Sequence, residues 1–227
     1  MKPVILFDMN ETLLDMSVLD PTFARIFGAA SGAELRKKWF RQVLELFLTA
    51  TITGDYRSFD RLTDEALQML AIQQGREASA QDRAALKEAQ MQLPAHADVR
   101  PGLVRLNAAG FRLAVLSNST EKSSKALLEQ AGLDDQLEKV LSADAVERYK
   151  PAREVYEYAA RELGVKAKEI LLVAAHAWDV AGAMAAGCGA AFVERPEKVP
   201  NPGGRQPQFQ AGDITALAEQ IVAKHGG

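Results

Sequence analysis

Asp8 follows the apolar run Val4, Ile5, Leu6 and Phe7, and Thr12 stands four positions further on. The same succession of apolar run and polar end recurs twice: Ser117 and Asn118 close "FRLAVLSN", and His176 and Asp179 follow "ILLVAA". Lys150, in "ERYKPAREVY", precedes a stretch with helical spacing. Carboxylates, hydroxyls, an imidazole and an amine are the groups of nucleophilic and acid–base chemistry. They converge only if the apolar runs are neighbouring parallel strands, because such sheets hold ligands beyond the carboxyl ends of their strands. Taken singly, each residue has a plainer reading: Asp8 as a turn residue, Ser117 to Ser119 as the start of a helix, Lys150 as a solvated loop lysine, Asp179 as a helix cap. Taken together, the repeated order argues for one site.

The elements needed to build that site are legible in outline. Apolar runs at 4–7, 111–116 and 170–174, a fourth at 190–196 and a short one in "PQFQAGD" read as strands. Runs without polar alternation suit parallel strands buried on both faces. Strands alternating with helical patterns predict a doubly wound α/β sheet, closed by a last helix capped near Asp213. Between Asp15 and Pro94 the pattern is helical throughout: Trp39, Val43, Phe47 and Ala50 recur at helical spacing, as do Leu62, Ala66, Leu67 and Leu70. "QLPAHADVRPG", with two prolines and a glycine, reads as the return linker. The expected organisation is an α/β core of residues 1–14 and 97–227 with a helical cap, 15–96, inserted after the first strand.

Composition excludes several classes. With 227 residues, 48% hydrophobic, 25% charged and net charge −3, the chain has no basic field for nucleic acid. No apolar stretch reaches membrane-spanning length, and the N-terminal run is too short for a signal-peptide core. The one cysteine, Cys188, lies among small residues and suggests a reducing, cytoplasmic setting. Neither a dinucleotide-binding glycine fingerprint nor zinc-ligand spacing is present.

"FDMNETLLD", "LSNS", "YKP" and "AAHAWDVAGA", in that order and with a helical insert after the first motif, resemble the haloacid dehalogenase superfamily and, within it, the type II 2-haloacid dehalogenases. The resemblance implies that Asp8 displaces halide from C2 of a short 2-haloacid, such as a haloacetate or even fluoroacetate, and that water then hydrolyses the aspartyl ester. It implies no cofactor and no metal. Lys150 and Thr12 would hold the nucleophile; Ser117 and nearby N–H groups would bind the substrate carboxylate; Asn118 and Arg41 would stabilise the departing halide. Met9, Asn10, Tyr156 and Trp178 would line the site. A haloacid and a halide ion are the implied partners, and relatives often form homodimers through their helical parts.

The chain also departs from that pattern. Asn10 replaces the second aspartate of phosphate-cleaving relatives, and Asp179 is the only carboxylate between Leu171 and Ala191, which weakens the alternative of a magnesium-dependent phosphatase. A non-catalytic binding protein on the same scaffold is the other alternative. Phe40 interrupts the family's tryptophan-arginine-glutamine run between Trp39 and Arg41, and Glu11 stands at a usual glycine. Ala175 and His176 replace the serine and asparagine that position hydrolytic water. The expectation is that His176 supplies the lost hydrogen bond or acts as a base with Asp179.

Overall fold

The computed structural model describes residues 2–28, 30 and 32–225. Six strands, β1 (Val4–Phe7), β2 (Leu113–Ser117), β3 (Lys139–Ser142), β4 (Ile170–Ala174), β5 (Gly189–Val193) and β6 (Phe209–Ala211), form one sheet in the order β3-β2-β1-β4-β5-β6. Every pairing is parallel. The expected doubly wound sheet is present, with β1 and β4 at the expected bounds and β2 shifted to Leu113–Ser117. Strand β3 was not expected. It is short, and its first two residues are only half-buried, so it lacks the apolar signature of its neighbours.

Alternation along β1 sorts the layers, since successive side chains of a strand point to opposite faces. Ile5 and Phe7 pack in the cluster that contains Val99, Leu103 and Leu106 of α5 (Val99–Ala108) and Ile214, Leu217 and Ile221 of α9 (Ile214–His225). Val4 and Leu6 pack on the opposite side against Val155 and Ala159 of α7 (Arg153–Leu163) and Val180 and Ala183 of α8 (Ala177–Ala185). Asp213 caps α9, its carboxylate accepting the Ala216 N–H at 2.7 Å.

Between β1 and α5 lie α1 (Asp20–Phe27), α2 (Gly32–Thr53), α3 (Phe59–Gln73) and α4 (Ala80–Gln90). Trp39 and Val43 of α2 and Leu62 and Leu67 of α3 are buried, as their spacing predicts. The Trp39 indole N–H donates to the Thr63 carbonyl at 3.0 Å, tying α2 to α3. Helix α6 (Glu121–Gln130) follows β2, with the Thr120 hydroxyl accepting the Ser123 N–H. Among the described residues no helix is long and apolar enough to cross a membrane.

Candidate active site

β1 carries its ladder one residue past the strand: the Asp8 N–H donates to the Val173 carbonyl of β4 at 3.0 Å. The chain then turns. The Met9 carbonyl accepts N–H groups from Thr12, Leu13 and Leu14, and this brings Thr12 back over Asp8. Met9 itself is fully buried, so its contribution is this backbone turn. The Thr12 hydroxyl donates to Asp8 Oδ2 at 2.6 Å and accepts the Ala175 N–H at 3.0 Å, locking the ends of β1 and β4 together.

Lys150 enters from the loop before α7 and is fully buried. Its ammonium donates to Asp8 Oδ1 at 2.7 Å, Asp179 Oδ2 at 2.7 Å and the Leu116 carbonyl at 2.9 Å. All three hydrogens of the ammonium therefore have acceptors. The Lys150 N–H donates to Asn118 Oδ1 at 2.9 Å, which leaves the Asn118 amide hydrogens as its donors toward a ligand. Tyr156 donates to Asp179 Oδ1 at 2.6 Å from α7. Gly182 lets α8 approach this closely, since a Cβ there would lie 2.6 Å from the Tyr156 hydroxyl.

His176 completes the other flank. Its Nδ1 lies 3.0 Å from Asp8 Oδ2 and its Nε2 3.0 Å from Glu11 Oε2. An ionised carboxylate only accepts, so both ring nitrogens carry hydrogen and the ring is an imidazolium. Glu11 is also met by Lys198 at 2.5 Å, from the segment after β5, and by Arg36 of α2 at 3.6 Å. Trp178 stacks on the imidazole, with centroids 5.0 Å apart, and Phe40 lies tilted at 6.2 Å.

These contacts order the protonation states. Burial pushes the Asp8 carboxyl up, but the Lys150 charge and the His176 hydrogen bond outweigh it and hold Asp8 well below the usual carboxylate range. Burial likewise opposes ionisation of Glu11, yet His176 and Lys198 bring it down to about 2. His176 is lowered by burial and raised further by its two carboxylates, ending above its ordinary value. Lys150 also stays charged, because Asp179 and Asp8 overcome the cost of burying it.

Several expectations need correction. Met9 and Tyr156 do not line the site: both are fully buried, and the Tyr156 hydroxyl is spent on Asp179. His176 and Asp179 do not pair: Asp179, in the first turn of α8, spends its oxygens on Lys150 and Tyr156, while the imidazole faces Glu11. Arg41, expected to stabilise the departing halide, has no hydrogen bond or ion pair to Asp8 or to the residues that hold it. It is exposed on α2 and borders an outer hollow with Glu11, Arg36 and Lys198, because the buried stripe of that helix runs through Arg36, Trp39, Phe40, Val43 and Phe47. Ser117 turns its hydroxyl back to accept the Ser119 N–H at 3.0 Å, so this N–H is already engaged. Asn10 donates to the Ser119 hydroxyl at 3.4 Å, and its own carbonyl oxygen is buried without a partner. Both residues border a cavity of about 320 Å³ whose far walls are Trp39, Phe40, Phe59 and Leu67.

The donors around Asp8 do not suit a divalent cation. One oxygen serves an ammonium and the other a hydroxyl and an imidazolium, so a metal ion would have to displace one of two cations. Among the described residues no group of three or more His, Cys, Asp or Glu side chains is arranged to hold one.

A family model described as haloacid dehalogenase-like hydrolase matches residues 2–187. (S)-2-haloacid dehalogenase of Pseudomonas sp. (strain YL) is 31% identical over 222 residues, covering 98% of this chain and 95% of that protein. Haloacetate dehalogenase H-2 of Moraxella sp. (strain B) is 28% identical, with 96% of this chain and 97% of that one covered. The solved structure of L-2-haloacid dehalogenase from Xanthobacter autotrophicus superposes with a TM-score of 0.90 at 25% identity, covering 97% of this chain and 98% of that one.

Proposed function

This chain belongs to the haloacid dehalogenase-like hydrolase family, and we propose that within it the chain is a 2-haloacid dehalogenase acting on short 2-haloacids, haloacetates among them. The observation that carries the reading is the Asp8–Lys150–Asp179 bridge. A carboxylate at the end of a buried strand is kept ionised by an ammonium with no freedom of its own, next to Asn10 where a phosphatase needs a second acid. Such a group is a desolvated, oriented nucleophile.

In the first step an Asp8 oxygen bonds to C2 as the carbon–halogen bond breaks, and halide leaves with the electron pair. In the second, water attacks Cγ of the ester, the bond from Cγ to the substrate oxygen breaks, and a 2-hydroxy acid departs. Thr12 and Lys150 hold the carboxylate before attack and polarise the ester afterwards. Asn118 receives the anionic parts of the substrate, helped by the positive end of α6. Trp178 and Phe40 give the halogen and the short chain an apolar wall. Tyr156 acts behind the site, through Asp179.

Residues 15–96 serve as a cap over this centre, and 1–14 with 97–227 as the catalytic core. The buried Cys188, whose thiol is pushed up to about 12 by burial, fits a cytoplasmic setting. A homodimer through the helical part is supported by exposed Leu48 and Ile52, one turn apart on α2.

The test is halide release from fluoro-, chloro- and bromoacetate and both 2-chloropropionate enantiomers in the presence of a chelator, with mass spectrometry of the peptide bearing Asp8. Metal-independent halide release and an alkylated Asp8 are expected. Magnesium-dependent phosphate release without halide release would overturn the reading.

A further inference from the structure

Resting on that dehalogenase reading, we propose that Glu11 is a positioning residue. It fixes a hydrogen on His176 Nε2, so that Nδ1 turns a lone pair toward Asp8 once alkylation has cancelled the aspartate charge.

The geometry supplies the parts. His176 is wedged between two carboxylates, each 3.0 Å from a ring nitrogen. The other faces of the ring meet Trp178 and Phe40, which bring no charge. Other ionisable groups act at one remove: Lys150 beyond Asp8, and Lys198 and Arg36 beyond Glu11. These last two keep Glu11 anionic at every stage, whereas Asp8 loses its charge in mid-reaction. His176 therefore has one permanent and one conditional partner. Glu11 also holds a backbone conformation that non-glycine residues seldom adopt, with φ 58°. A side chain kept in such a conformation at a site points to a use for it.

The proton count follows. The net reaction, haloacid plus water to hydroxy acid, halide and one proton, must release a proton somewhere. When the Asp8–C2 bond forms and halide departs, Nδ1–H loses its anionic acceptor while Nε2–H keeps Glu11. The Nδ1 proton then passes to solvent and the ring becomes neutral in the tautomer whose lone pair faces the ester. Water gives a proton to Nδ1 as its oxygen bonds Cγ. Collapse breaks the bond from Cγ to the substrate oxygen, and the leaving alkoxide takes that proton. The aspartic acid so formed hands its remaining proton to Nδ1, restoring the resting ion pair. Without Glu11 the ring is neutral already at rest, keeps its one hydrogen on Nδ1 against Asp8, and has neither a proton to release on alkylation nor a lone pair to present, as when the orienting carboxylate is removed from a histidine base.

Glu11→Gly and Glu11→Gln variants provide the test, in single-turnover reactions with bromoacetate that follow halide release, ester on Asp8 and proton release to a pH indicator. The glycine variant relieves the left-handed backbone, so folding is protected, and the glutamine variant keeps the volume. Wild type is expected to release its proton in step with halide. In both variants ester breakdown should slow about 100-fold more than halide release, alkylated Asp8 should accumulate, and the early proton should vanish; acetate added to the glycine variant should restore part of the hydrolysis. Ester breakdown and halide release that slow equally, or a wild-type proton that appears only with hydrolysis, would overturn the role of Glu11 while leaving alkylation at Asp8 intact. Absence of halide release and alkylated Asp8 from wild type would instead sink the dehalogenase reading.

Discussion

The two flanks of Asp8 are built on different plans. On one, Lys150, Asp179 and Tyr156 come from the core, have no solvent exposure and close their hydrogen bonds on each other. On the other, His176 and Glu11 reach outward to Arg36 on α2 and Lys198 on a surface segment, and Glu11 retains 13% side-chain exposure. A charge sealed on every side stays put; a charge shared with elements near the surface can change during a reaction. The first flank thus suits holding a nucleophile ionised, and the second suits handling a proton.

Removing the sealed cation should do the most damage. Lys150→Ala leaves Asp179 buried without a counter-charge and Asp8 with His176 alone, a loss of about 3–5 kcal/mol for a broken buried pair. Halide release should fall below detection, and urea unfolding at neutral pH should show the stability loss. A stable Lys150→Ala protein would erase the distinction between the flanks. His176→Asn should be milder and selective: ester breakdown slows by about 100-fold, with alkylated Asp8 building up in rapid-quench samples.

The third effect is on stability and its sign is fixed by linkage. Glu11 titrates at about 2 when folded against an ordinary 4.5. A depressed carboxylate contributes stability that is present above about 4.5 and lost as pH falls towards 2, amounting to about 3 kcal/mol. His176, raised above 6.5, acts in the opposite sense: its contribution is present below 6.5 and lost as pH climbs through its folded value. Denaturant melts across pH should therefore show an acid limb that Glu11→Gly flattens. Smallest of all, Arg41→Ala should change halide release by less than about twofold, as expected of a surface position, measured under steady-state conditions.

Much of the frame was legible because buried parallel strands announce themselves as apolar runs, and β1 and β4 end at Phe7 and Ala174 as read. β3 was not, since Lys139 and Val140 near the sheet edge carry no such signal. Within the site, strand ends foretold the meeting of Asp8, Thr12, Lys150, Asn118 and Asp179. Side-chain direction was beyond reach. Asp179 and His176 are three residues apart, yet their groups serve opposite flanks of Asp8. Helix phase did hold the answer for Arg41, which falls off the stripe that buries Arg36 and Phe40. Glu11 had a signal as well, a charged residue where the family resemblance leads one to expect glycine.

β1 runs through the interior of the sheet, paired on both sides and buried at all four residues. Core strands of this kind belong to the part of a domain that opens last, their amides exchanging with deuterated solvent only on global unfolding. The carboxylate that we propose becomes alkylated is therefore anchored directly after an interior strand, paired on both sides.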